Sequence, residues 1–187
     1  MLFSKRQRLI ANVPFFYHSI DCGDGLITPG HQSAELLRDQ LTLMRVPPLS
    51  GKTVLDIGAW DGYFSFAAES LGAERVMALD HYVWSMNLER QQAYYRECRD
   101  KGVSPRPYHL IPRNWNPGTL PGKIGFDTVH HLRNSRVEQF VGDFMTIDPL
   151  EIGTFDIVFF LGVLYHLEEP LLGLKRLSLF TREMAII

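Results

Sequence analysis

Cysteine is scarce: Cys22 and Cys98 are the only two in the chain. A disulfide framework needs more, and a zinc knuckle needs paired spacing, so two free thiols in a reducing compartment are expected. The seven histidines stand in no ligand spacing with Cys or carboxylates, and no metal site is expected. The longest apolar run, Ile157–Tyr165, is far short of the roughly 20 residues that cross a bilayer, which excludes a membrane helix. The N-terminus is basic but lacks a long apolar core and a small-residue cleavage site. No signal peptide is read there, and the cytoplasm follows as the default. Net charge is only −2, and Lys and Arg are nowhere dense enough to predict a nucleic-acid surface. Repeats, low-complexity stretches and local Ser-His-Asp or Cys-His arrangements are lacking as well.

What remains is an ordinary globular balance of 45% hydrophobic and 21% charged residues over 187 positions, enough for one domain with a sizeable core. Residues 1–32 read as irregular. Ser33 is placed to cap a helix running to about Arg45, with Leu36, Leu37, Leu41 and Met44 on one face and Pro47 and Pro48 as its stop. Thr53–Ile57 is a buried strand, and Gly58–Gly62 a loop. Phe64, Ala67, Ala68 and Leu71 mark a helix closed by Gly72, and Arg75–Asp80 a second strand. Strand, glycine loop, helix and strand make a right-handed parallel βαβ unit. A weakly patterned helix follows over Met86–Arg99. A long connection over 102–124 carries Pro105, Pro107, Pro112, Pro117 and Pro121. A short helix at Phe126–Leu132, strands at Val137–Gly142 and Phe155–Leu161, a helix at Pro170–Phe180 and the start of a fifth strand at Met184–Ile187 complete the pattern.

The chemistry-bearing residues lie after the strands. Glycines between a strand and a helix let backbone approach a ligand. A dinucleotide loop must receive a pyrophosphate, yet here Asp56 ends the strand, Asp61 sits in the loop, and no Lys or Arg occurs between Lys52 and Arg75. That field suits a ligand bearing an ammonium and a sulfonium; the bland alternative makes Asp61 a plain helix cap. Asp80 ends the second strand, where a carboxylate can accept both hydroxyls of a ribose or merely cap the next turn. Asp143 and Phe144 can accept from an adenine amino group and stack the base, or form an ordinary strand-end turn with a core Phe. Leu161–Pro170 follows the fourth strand, whose end should flank the crevice at the topological switch point. Tyr165 and His166 would face the reacting group there. A neutral His166 is a candidate base, and a hydrogen-bonded structural role is its alternative.

Leu55–Ser65 taken with Phe160–Pro170 resembles the class I S-adenosylmethionine-dependent methyltransferases. More narrowly, the pair resembles the branch related to the tRNA wobble-uridine (carboxy)methyltransferases, and Phe16–Gly30 is similar to a segment leading into the methyltransferase domain of that branch. The resemblance covers about residues 14–187, with the 102–124 stretch unmatched. It implies a three-layer α/β, Rossmann-like sheet, with 1–50 as an N-terminal arm and helix packed on the core and 51–187 as the cofactor-binding domain. It implies S-adenosylmethionine as cofactor, with Asp56, Gly58 and Gly62 around the methionine moiety and Asp80 on the ribose. Asp143 and Phe144 then lie near adenine, with Leu161 and Tyr165 beside the sulfur.

Three departures qualify this. Trp60 replaces the middle glycine of the usual loop pattern, and its ring either covers the cofactor or meets the substrate. The lysines that hold the extra carboxylate in the carboxymethylating relatives have no counterpart between Lys5 and Lys52, which favours simple methyl transfer. The family fold has seven strands, and the sequence shows five, which leaves an apolar sheet edge for further chain or a second copy, a homodimer, to close. The expectation is methyl transfer to an oxygen or nitrogen of a small-molecule acceptor. A modified nucleoside in tRNA is the rival acceptor, and a non-catalytic cofactor-binding module and a nicotinamide oxidoreductase are the rival functions.

Overall fold

The computed structural model describes residues 4–187. Five strands form one parallel sheet: β1 (Thr53–Ile57), β2 (Arg75–Asp80), β3 (Glu138–Val141), β4 (Phe155–Phe159) and β5 (Thr181–Ile186), in the order β3-β2-β1-β4-β5. Side chains alternate across the sheet with period two. Val54, Val76, Ala78, Ile157 and Phe159 therefore enter one core, while Leu55, Ile57, Met77, Leu79 and Val158 enter the other. Both faces of β1, β2 and β4 are covered, which is why these three strands read as largely apolar runs, while the edge strands β3 and β5 hold no buried residue.

Helices close the two faces. α1 (Lys5–Ala11) starts with a capping box between Ser4 and Gln7, in the arm that the sequence left irregular. α2 is Ala34–Leu43, with Ser33 accepting from Leu36 N–H as anticipated. Of its expected apolar face only Leu37 is buried, and Leu36 faces solvent. α3 (Tyr63–Ser70) buries Ser65, Phe66 and Ala68, whereas Leu71, assigned to its inner face, is exposed. Phe66 meets Phe126 of α5 (Ile124–Arg133), and that tertiary contact sets which face turns inward. α4 (Leu88–Asp100) is largely exposed, the short α6 (Pro149–Ile152) precedes β4, and α7 (Pro170–Phe180) packs Leu177 and Phe180 on the second core.

The long connection is ordered by what it lies on. Asn87 N–H donates to Asn114 C=O at 2.6 Å, Asn116 N–H to Ser85 C=O at 2.7 Å and Gly122 N–H to Trp84 C=O at 3.0 Å. It is thereby fastened along the loop that leaves β2. With all strands parallel, their C-terminal ends open at one edge, and the connections diverge between β1 and β4. This is the switch point where open α/β sheets hold ligands. Among the described residues no helix is long and apolar enough to cross a membrane.

Candidate functional site

The loop after β1 is a tightly specified piece of backbone. Gly58 and Ala59 N–H both donate to Leu79 C=O, at 2.8 and 3.2 Å, so the loop curls over the end of β2. Gly58 has φ +79°, and a Cβ there would lie 2.6 Å from the Val163 side chain in the loop after β4. The β1 and β4 loops thus face each other closely across the switch point, and only glycine fits. Gly62, also at positive φ, answers to something else. A Cβ there would meet the rings of Phe66 and Phe126 below 3 Å, so helix packing alone already requires glycine.

Three carboxylates converge on this loop, each already claimed. Asp56 accepts from Ser65 Oγ at 2.6 Å; burial pushes its pKa up to about 6 despite that bond. Asp80 is 3% exposed and also raised by burial. Its oxygens take Trp60 N–H and Val83 N–H, each at 3.0 Å, and Trp84 N–H at 3.5 Å. Through these backbone N–H groups the Asp80 carboxylate fixes the shape of the loop. Asp61 is engaged by the N-terminal arm: it accepts Tyr17 N–H at 2.8 Å and His18 N–H at 2.9 Å, and meets His18 Nδ1. It is not the helix cap but the clasp of the N-terminal arm. Sequence reasoning missed this, because the partners lie 43 and 44 residues away along the chain.

Trp60 sits between these features. Its ring stacks on Tyr17 at 4.4 Å and 12°, with Phe15 behind at 6.2 Å. Phe16 and His18 are buried in the arm's contact with the core and anchor the arm there.

The opposite wall is open. Leu161 is half-buried against the first core, Tyr165 is 78% exposed, and His166 is exposed with its ring 4.3 Å from that of Tyr165. An open cavity of about 440 Å³ runs along this wall, lined by Phe160, Gly162, Leu164, Tyr165, Leu167 and Pro170 but by no residue of the Gly58–Gly62 loop. Asp143 is half-buried and caps its own turn through Met145 N–H at 2.9 Å. The stacking role expected of Phe144 is corrected: its ring is 5% exposed and packs on Phe160 and Phe180 in the second core, because the turn after β3 folds back over α7.

The long connection adds an aromatic group that the sequence did not place. Tyr82, just past Asp80, meets Tyr108 at 4.7 Å and Trp115 at 6.2 Å, and its hydroxyl lies 2.5 Å from His109 Nδ1. Burial raises the pKa of the Tyr82 phenol. Among the described residues no cluster of His, Cys and carboxylates could hold a metal.

No family model matches the chain. It is 28% identical over 129 residues to a tRNA U34 carboxymethyltransferase of Geobacter sp. strain M21, and 27% identical over 130 residues to one of Trichlorobacter lovleyi. Each alignment covers 69% of the chain and 28% of the relative, so the match spans under a third of those proteins' length. Among solved structures, EvdMO1 matches over 92% of the chain and 32% of its own, with a TM-score of 0.55 at 18% identity. The N-terminal domain of EvdMO1, crystallised in the presence of SAH and D-fucose, matches over 91% and 57% with a TM-score of 0.51 at 19% identity. Fold and sequence together relate the chain to the class I S-adenosylmethionine-dependent methyltransferases.

Proposed function

We propose that the chain binds S-adenosylmethionine at the switch point and directs its methyl onto an oxygen or nitrogen of a small-molecule acceptor. The observation that carries this is the seat at Gly58: backbone at φ +79°, too close to Val163 for any side chain, in a stretch with no Lys or Arg between Lys52 and Arg75. A ligand with a positively charged end fits that seat, and a pyrophosphate does not. S-adenosylmethionine, when bound, supplies an electrophilic methyl on a cationic sulfur.

The chain's own residues then do mostly positioning, which is most of what such a transfer asks. Gly58 and Trp60 hold the amino-acid end. Asp56 and Asp80 act on the ligand through the loop they shape. Asp143 receives the base, and Leu161 offers apolar surface beside the reacting centre. Tyr165 and His166, exposed on the facing wall, meet the acceptor, and a neutral His166 takes the proton an acceptor O–H or N–H must lose.

A second reading has a specific observation behind it: the curated relatives are named for tRNA U34. On that reading the acceptor is a wobble uridine, and the exposed Tyr165 meets a base. Calorimetric titration with S-adenosylhomocysteine, with NADH as control, tests the cofactor. Saturable binding of the first alone is expected, and binding of NADH alone would restore the oxidoreductase. Labelled methyl from S-adenosylmethionine appearing in unfractionated tRNA would move the acceptor to the second reading. Binding without turnover on any acceptor would leave a cofactor-binding module.

A further inference from the structure

Trp60 is held where a bulky side chain stays only if its surroundings insist, at φ +50°. Its backbone is accounted for on both sides. The N–H donates to Asp80 Oδ2 at 3.0 Å, and the C=O accepts from Trp84 Nε1 at 2.6 Å. Its ring face is accounted for by Tyr17. One group is not: the indole N–H is sealed from solvent and has no hydrogen-bond partner among the described residues.

Such a donor is expensive to leave unmade, and a native protein that keeps one needs a reason. The other buried atoms without partners belong to Arg6, Gln91 and Arg133, whose side chains bond through their remaining atoms. An indole has one polar atom and no second chance. Strain and an unused donor coincide at a single residue of the proposed cofactor loop, and that residue stands where the loop pattern has glycine.

The ligand atom that fits follows from charge. The amino-acid end of the cofactor carries a carboxylate as well as an ammonium. Around the loop are Asp56, Asp61 and Asp80, and the stretch from 53 to 74 supplies no Lys or Arg to receive that carboxylate. A neutral N–H can take an anion into an acidic setting without a counter-charge. Resting on the cofactor reading above, we propose that Trp60 is a specificity residue whose indole N–H binds the carboxylate of the cofactor's amino-acid end. The rings against Trp60 are Phe15 and Tyr17 of the arm, so the carboxylate gains the N–H as that segment shifts.

The test compares two ligands on three proteins. S-adenosylhomocysteine has the amino-acid end; 5′-methylthioadenosine shares the nucleoside and thioether but lacks it. The proteins are the native chain, Trp60→Phe, and the chain with 3-benzothienylalanine at position 60, which replaces N–H by sulfur at nearly constant shape. Both variants should lose tenfold to hundredfold in affinity for S-adenosylhomocysteine, the range of a hydrogen bond to a charged group, and nothing for 5′-methylthioadenosine. The sulfur isostere guards against a packing defect in Trp60→Phe. If the native chain binds S-adenosylhomocysteine and the isostere binds it equally well, the assignment falls while the cofactor reading stands. Equal losses for both ligands also overturn it, since Trp60 would then act on loop shape alone. A native chain that binds neither ligand overturns the cofactor reading and this assignment with it.

Discussion

The two walls of the crevice are built on opposite plans. On the β1 side, Asp56, Asp61 and Asp80 are each at most 3% exposed, and every one is engaged by hydroxyl or N–H donors. On the β4 side, Tyr165 and His166 stand in solvent, while Val163, Leu164 and Leu167 of the same loop rest on the second core. Burying three carboxylates is unfavourable unless they are bonded, so the first wall spends stability on a fixed shape. The second wall buries no carboxylate and leaves its polar side chains in solvent. A seat fixed in advance suits a ligand that is always the same, and an open face suits an acceptor that has yet to arrive.

The comparison breaks most visibly at its glycines. Gly62→Ala puts a methyl 2.6 Å from Phe66 and 2.7 Å from Phe126 at φ +88°. Strain and overpacking together should cost about 4 kcal/mol, read as a lower urea midpoint. Gly162→Ala on the other wall, at φ +71°, meets only the Tyr165 hydroxyl at 3.3 Å and should cost about 1 kcal/mol. Equal costs would mean that the walls are equally rigid.

The buried carboxylates give a pH signature next in size. Asp56 has its folded pKa raised from 3.8 to about 6, so between those values the folded chain binds more protons than the unfolded one. Stability should therefore fall as pH rises from about 4 to 6 and level off above, by on the order of 3 kcal/mol from this group. Asp80, raised in the same direction, adds with the same sign. Asp56→Asn should flatten that slope and be the more stable protein at pH 7. A slope unchanged in the variant would mean that Asp56 is not the group titrating.

Asp61 gives a smaller and more local effect. Its Oδ2 receives two backbone N–H groups, from Tyr17 and His18, while its Oδ1 meets the His18 ring. An asparagine has a single acceptor oxygen, so Asp61→Asn should cost about 2 kcal/mol. The loss should appear as faster hydrogen exchange of the Tyr17 and His18 amides, with β1 and β2 unchanged. Loss of protection across the sheet instead would show that the arm is part of the core and not clasped onto it.

The difference between the walls also explains what the sequence disclosed. The central strands were legible because both their faces are buried, and Thr53–Ile57 and Arg75–Asp80 fall where their β-branched and apolar runs lie. Pro170 and Phe180 bound α7 as expected, since proline at the first helical position is a local signal. The exposed Tyr165 and His166 were legible as a loop after a strand. Illegible was everything decided at long range: Asp61 holding the arm, Phe144 turned into the second core, and Tyr82 joined to Tyr108 and Trp115 by a connection that reads only as prolines. Gly62 shows the same limit, since a ligand-binding glycine and a packing glycine have the same letter and the same positive φ.

The smallest effect on stability is expected where the largest effect on turnover lies. His166 is exposed and Tyr165 is 78% exposed, and surface substitutions away from buried networks stay within about 0.5 kcal/mol. His166→Ala and Tyr165→Phe should therefore melt with the native chain. They should also bind S-adenosylhomocysteine as it does, because neither residue belongs to the wall that fixes the seat. If His166 takes the acceptor's proton, its removal should lower methyl transfer by about 100-fold or more, with the loss greatest below the pH at which the acceptor ionises unaided. A variant that melts earlier by more than about 1 kcal/mol would place the β4 loop among the built parts of the site. Full turnover in a stable His166→Ala chain would leave that wall to bind and orient the acceptor without moving its proton.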